Sequence, residues 1–230
     1  MKKLVKIYCA IFFGFASLML NTSCNRENSN DVNQDKIYTT YSLVYDANED
    51  KTYARAIFQF SNALGTQLEL TSPSDVHFNN DILTFKSGLA YYEKEYAGKV
   101  TTGTFTWKDT DGSVYTNSVS IKSIDFPVVL DTIHRTAAYE MFWVGDSLSA
   151  NHSVTVTING VLEGDAQYFS QDNINSKSII LAKSQLELLG QGMGTIWMQR
   201  IYTPGLLQKT SAGGAISGKY IPVTRHVYLK

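Results

Sequence analysis

Ser153-Val154-Thr155-Val156-Thr157-Ile158-Asn159-Gly160 (SVTVTING) carries the pattern on which the fold turns. Valine and isoleucine alternate with threonine, so in an extended chain apolar side chains fall on one face and hydroxyls on the other. Asn159-Gly160 closes the run with the dipeptide favoured by a two-residue hairpin turn. The same period of two recurs on both sides. Tyr38 to Tyr45 (YTTYSLVY) and Tyr53 to Phe60 (YARAIFQF) read as strands, and Leu68 and Leu70 alternate with Gln67 and Glu69. Thr104 to Trp107, the turn Asp111-Gly112, and Val114 to Ile121 read as a hairpin, with Trp107, Tyr115, Val119 and Ile121 as core or cross-strand residues.

Phe126-Pro127 breaks the rhythm, and a second set of strands follows: Tyr139 to Val144, the opening stretch, Ser178 to Leu181, Gly194 to Tyr202 and Tyr220 to Leu229. Pro222 in the last implies an edge position or a strand start. One short helix is expected where Ser184-Gln185-Leu186-Glu187 has the form of a capping box and Gly190 can end the turn. Many short strands with almost no helical periodicity predict an all-β protein. The lengths on each side of Phe126 suit two tandem immunoglobulin-like β-sandwich domains, 36–126 and 127–230. One larger β-sandwich or barrel is the alternative.

The N-terminus differs from the rest. Lys2, Lys3 and Lys6 precede or interrupt a run, Leu4 to Leu20, that is otherwise almost wholly apolar, and Asn21-Thr22-Ser23 leads to Cys24. This is the layout of a secretory signal over residues 1–23. Ser23-Cys24 resembles a lipobox, which implies cleavage before Cys24 and lipid on its sulfur. Asn21 stands where the usual leucine would be, with Leu20 one residue earlier, and cleavage by an ordinary signal peptidase is the alternative. The other cysteine, Cys9, lies within the apolar run and would be discarded. Residues 24–35 are polar and poor in large apolar groups, so they are expected to form a flexible tether. Glu27 and Asp31 resemble the acidic export signal of Bacteroidetes surface lipoproteins. The whole layout resembles Bacteroidetes lipoproteins with immunoglobulin-like domains. That resemblance implies a protein anchored by N-terminal lipid to the outer membrane or cell surface, and it carries over no functional residue.

Removal of the signal takes away three lysines and no acid, leaving a net charge of about −4. Nucleic acid is therefore not an expected partner, since its recognition needs a basic surface. With Cys24 lipidated the body has no thiol left for a disulfide or a metal, and no cofactor is expected.

Chemistry-bearing motifs are few. Gly145-Asp146-Ser147-Leu148 follows an apolar strand and resembles the nucleophile block of the GDSL esterases, and Asp131 and His134 have that family's Asp-x-x-His spacing. The context fails: the Asp-x-x-His precedes the serine, no Gly-x-Asn-Asp block is present, and no α/β scaffold follows. Asp109-Thr110-Asp111-Gly112 has the start of a calcium loop without its closing glutamate, and a hairpin turn explains it. His77, His134, His152 and His226 lack metal-ligand spacing, and Gly190 to Gly194 (GQGMG) precedes a strand rather than a helix. Glu93-Lys94-Glu95 reads as a solvated face. The aromatic excess, 14 Tyr, 11 Phe and 3 Trp, serves a β-core first. Tyr91, Tyr92 and Tyr96, with Trp197 and Tyr202, are the candidates for a binding face. The expectation is a non-catalytic module for a protein or glycan partner, or else a structural spacer of a surface assembly.

Overall fold

The computed structural model describes residues 26–130 and 132–230; the expected signal, Cys9 and Cys24 lie outside the described residues. Before residue 126 the strands are β1 (Arg26–Asn28), β2 (Ile37–Asp46), β3 (Lys51–Phe60), β4 (Gln67–Glu69), β5 (Asp75–Phe78), β6 (Asp81–Ile82), β7 (Thr84–Lys86), β8 (Tyr91–Ala97), β9 (Thr102–Lys108) and β10 (Val114–Ser120). After it come β11 (Thr132–Ile133), β12 (Tyr139–Phe142), β13 (His152–Asn159), β14 (Gln167–Gln171), β15 (Ser178–Leu181), β16 (Gly192–Tyr202), β17 (Gly214–Ile221) and β18 (Arg225–Leu229). One helical turn, α1 (Lys183–Leu186), precedes β16.

The protein is an all-β sandwich built on one broad layer. Twelve strands form a sheet in the order β1-β4-β3-β2-β17-β16-β13-β14, with β8 and then β7 also reached through β3, and β18 and then β11 through β16. Residues paired across neighbouring strands share a face. Tyr41 lies beside Ala56 and Ile216, and Gly218 beside Tyr202. One face therefore runs from the first half of the chain into the second. That inner face buries two cores side by side. In the first it packs on the sheet β10-β9-β5-β6, joining Tyr41, Leu43 and Phe58 to Phe78, Phe105 and Trp107. In the second it packs on the pair β12-β15 and the segment before it, joining Val154, Val156 and Met198 to Phe126, Met141 and Ile179.

Aromatics fill the first core. The Tyr41 ring stacks on Phe105 at 4.9 Å, and Trp107 stacks on Tyr115 at 4.8 Å. Trp107 Nε1 donates to Ser74 Oγ at 3.1 Å, so the fully buried indole leaves no polar atom unpaired. The chain passes from the first core at Ile121 to the second at Ile124. It then returns: β17 bonds β2 in parallel and β16 antiparallel, and Ile216 enters the first core. The crossing is tight. A Cβ on Gly218 would stand 2.1 Å from the Ser120 carbonyl oxygen, so only glycine lets β17 pass the end of β10.

Most expected strands are present, and the hairpin β9–β10 has the expected Asp111-Gly112 turn, with Gly112 at φ +86°. Four local expectations are corrected. Asn159-Gly160 does not make a two-residue turn; seven residues separate β13 from β14, because the Asp165 carboxylate gathers the amides of Gly160, Leu162 and Gly190. Tyr220 to Leu229 is two strands broken at Pro222, which cannot donate to a ladder. Ala182, not Ser184, precedes α1, and no side chain caps it. Residues 26–35, expected as part of a tether, are built into the body. There β1 pairs in parallel with β4, Ser29 and Gln34 are buried, and Gln34 Nε2 donates to the Ser29 carbonyl at 2.6 Å. The segment offers only Val32 for apolar packing, against the first core, and backbone pairing and the Gln34 amide supply the rest.

Candidate functional site

The second face of the twelve-stranded sheet has no layer over it among the described residues. The alternation seen in SVTVTING is what creates it: Val154, Val156 and Ile158 turn to the core, and Thr155 and Thr157 turn outward, Thr155 lying deeper at 5% exposed. Register then places Gln199 beside Thr155 and Trp197 beside Thr157. Beyond β16 the sheet forks. Residues 192–196 bond β18 and residues 200–202 bond β17, while Trp197 to Gln199 pair with neither. A groove of about 360 Å3 opens at this fork, lined by Thr155, Thr157, Trp197, Gln199 and Ile221. Trp197 is 39% exposed there. The side chains lining it carry no charge: an indole, two hydroxyls, an amide and an aliphatic residue.

Further along the same face, β3 and β8 carry charge. Arg55 Nε pairs with Glu93 Oε2 at 2.6 Å, and its guanidinium lies 4.6 Å from the Tyr53 ring centre and 5.2 Å from that of Tyr91. Lys51 pairs with Glu95 at 2.6 Å. Glu93 and Glu95 are thus paired strand residues. Lys219 sits half-buried between Val44 and Ile201 on neighbouring strands, and burial, then the charge of Arg55, pulls its pKa down.

The five candidate aromatics do not form one site. Tyr91 and Trp197 share the outer face, but β3, β2 and β17 separate β8 from β16, a span of about 19 Å at the usual strand spacing. Tyr92 points inward, is buried, and its hydroxyl accepts from the Leu70 amide at 2.6 Å; burial pushes its pKa up to about 12. Tyr96 packs on Phe78 and donates to Asp81 Oδ2 at 2.9 Å. Tyr202 stacks on His152 at 4.5 Å. Around Trp197 the sequence reading missed Thr155, Thr157, Gln199 and Ile221 as site residues. The alternation in β13 marked an outward face, but nothing local announced the fork beside it.

The Gly145-Asp146-Ser147-Leu148 block has a structural role. Gly145 is at φ +129°, and a Cβ there would stand 3.0 Å from the Ser123 carbonyl oxygen. Arg200, 2% exposed, donates Nη1 to the Asp146 carbonyl at 2.8 Å and Nη2 to the Ser147 carbonyl at 2.9 Å. Its Nε faces His152 Nδ1 at 3.4 Å. Burial, then the charges of Arg200 and Lys122, lower the His152 pKa to about 4. Among the described residues no hydrogen bond joins the Ser147 hydroxyl to a histidine; His134 is exposed, and Asp131 lies outside the described residues.

The other motifs lie in turns or strands. Asp109 Oδ1 accepts from the Ser113 amide at 2.8 Å across the β9–β10 hairpin. Gly190 donates to Asp165 and Gly192 opens β16. His77 faces Asp75 and the Asn80 carbonyl, and His226 lies on β18. Among the described residues no group of three or more His, Cys, Asp or Glu is arranged to hold a metal ion.

No protein-family model and no curated protein matches the chain. Among solved structures it is similar to a 1.5-MDa bacterial ice-binding adhesin, in a structure described as giving insight into host cell surface retention. Identity is 12% and the TM-score 0.28, over 84% of this chain and 66% of that one. It is also similar to the FN1–FN3 domains of chicken CNTN1, at 9% identity and a TM-score of 0.27, over 82% of this chain and 65% of that one.

Proposed function

We propose that this chain is an exported, non-catalytic binding protein, made of two immunoglobulin-like units and held to the outer membrane or cell surface by lipid on Cys24. Its partner is a glycan or protein that docks on the outer sheet face. The observation that supports this reading best is the uncharged groove at the β17–β18 fork. An indole face suits the apolar C–H side of a sugar ring, and Thr155, Thr157 and Gln199 supply neutral donors and acceptors around it. A glycan is thus the partner class that the groove fits best. The continuous sheet favours the second reading, a spacer, because β17 bonds both halves and stiffens the joint between them.

Retention on a panel of immobilised neutral glycans separates the two readings. The binding protein is retained by at least one member and loses retention on Trp197→Ala; a spacer is retained by none. Hydrolysis of an acyl ester that is abolished by Ser147→Ala refutes the absence of catalysis. Mass spectrometry of the mature N-terminus tests the anchor, which fails if Cys24 is unmodified or is not the first residue.

A further inference from the structure

We propose that the end of the first sandwich at which β1 begins lies directly on the lipid surface, with the loop tips Leu64 and Leu89 seated in it. This rests on the lipid anchor at Cys24. The topology sets which end faces the membrane. Strand β3 runs toward the loop 61–66; β4 runs back from that loop, and β1 is parallel to β4, with Arg26 beside Gln67. The N-terminal end of β1 therefore points the same way as the loop 61–66. Strand β8 is antiparallel to β3, so the turn 87–90 between β7 and β8 lies at this end too. Arg26 ties the three together: its guanidinium pairs with Glu69 at 3.8 Å and lies 5.4 Å from the Phe85 ring centre on β7.

Cys24 stands two residues before Arg26, and two residues of chain reach no more than about 7 Å. With β1 held in the sheet, no long tether separates the lipid from the body. The surface that then meets the bilayer carries Leu64, 96% exposed at the tip of Asn62-Ala63-Leu64-Gly65, and Leu89, 66% exposed in Ser87-Gly88-Leu89-Ala90. Each is a single leucine among small or polar neighbours on a projecting turn, a shape suited to shallow insertion. Lipid anchoring is strengthened by such a second contact. Charge here is mixed, Arg26, Lys36 and Lys86 against Glu27, Asp35 and Glu69, so the contact is apolar and needs no anionic headgroup. The exposed apolar residues Val161, Leu162 and Met193 lie at the opposite end, where β13 ends and β16 begins, and face away from the lipid.

The test uses the lipid-bearing protein in phosphatidylcholine vesicles that contain a spin-labelled quencher lipid. Leu64→Cys, Leu89→Cys and Leu162→Cys each receive a polarity-sensitive fluorophore. Residues 26–230 hold no other cysteine to compete for the label, and all three sites are exposed, so folding is undisturbed. The expected result is a blue shift and loss of emission at positions 64 and 89, with position 162 unchanged. Equal emission at all three positions overturns the proposal. The N-terminal mass of the same samples reports the anchor separately. An acylated Cys24 without quenching at 64 and 89 defeats this docking alone, and an unmodified N-terminus defeats the anchor and the docking with it.

Discussion

Replacing Arg200 by methionine tests how the two halves of the second core are clamped. The guanidinium is buried and supplies the Asp146 and Ser147 carbonyls with donors at 2.8 and 2.9 Å. Methionine fills much of the same volume but donates nothing. Trp143 Nε1 also donates to the Asp146 carbonyl at 3.1 Å, so only the Ser147 carbonyl is left without a donor, at a cost of about 1–3 kcal/mol. Relief of the buried charge offsets part of that, so the net loss of stability is about 1–2 kcal/mol. A second signature comes from His152. Its depressed pKa means that below about pH 6.5 the unfolded chain takes up a proton that the folded chain refuses. Stability is thus complete above about pH 6.5, falls as pH drops, and has lost about 3 kcal/mol by about pH 4. Burial is the larger cause and survives the substitution; the Arg200 charge does not. Arg200→Met therefore lowers stability at neutral pH and also makes its fall with acid shallower. Urea unfolding followed by tryptophan fluorescence, at neutral pH and between the two pKa values, measures both. A variant within about 0.5 kcal/mol of the parent, with an unchanged pH slope, refutes the reasoning.

Three further outcomes follow from the packing. Burial alone would raise the Asp165 carboxyl, but the amides of Gly190, Leu162 and Gly160 outweigh it and hold its pKa below the usual range. Asp165→Asn should cost about 2 kcal/mol at neutral pH. Its penalty should vanish in acid, as pH falls through the depressed pKa and the parent loses the same charge; unfolding at a series of acid pH values checks this. Trp107→Ala empties the middle of the first core and should cost about 4 kcal/mol in urea unfolding. Gly218→Ala drives a methyl group against the Ser120 carbonyl; it should cost about 2–3 kcal/mol in a thermal melt and loosen the junction of the two cores.

Period-two alternation made the strands legible because it is a local property: Val154, Val156 and Ile158 turn inward whatever lies beside them, and so do Tyr41, Leu43 and Tyr45. The sequence by itself determined an all-β chain and the hairpin at Asp111-Gly112. Which strands become neighbours was decided by the tertiary structure. The parallel pairing of β17 with β2 joins Gly214 to Thr39 through backbone groups that every residue possesses, so no side-chain pattern encodes it. The ordering of residues 26–36 is of the same kind, since it rests on backbone pairing with β4 and on the Gln34 amide, with Val32 alone adding apolar packing. The groove at Trp197 arises because β16 changes partners midway along its length, leaving an indole at the gap. Alternation sets the face on which a side chain stands, and only the assembled sheet decides whether that face is covered.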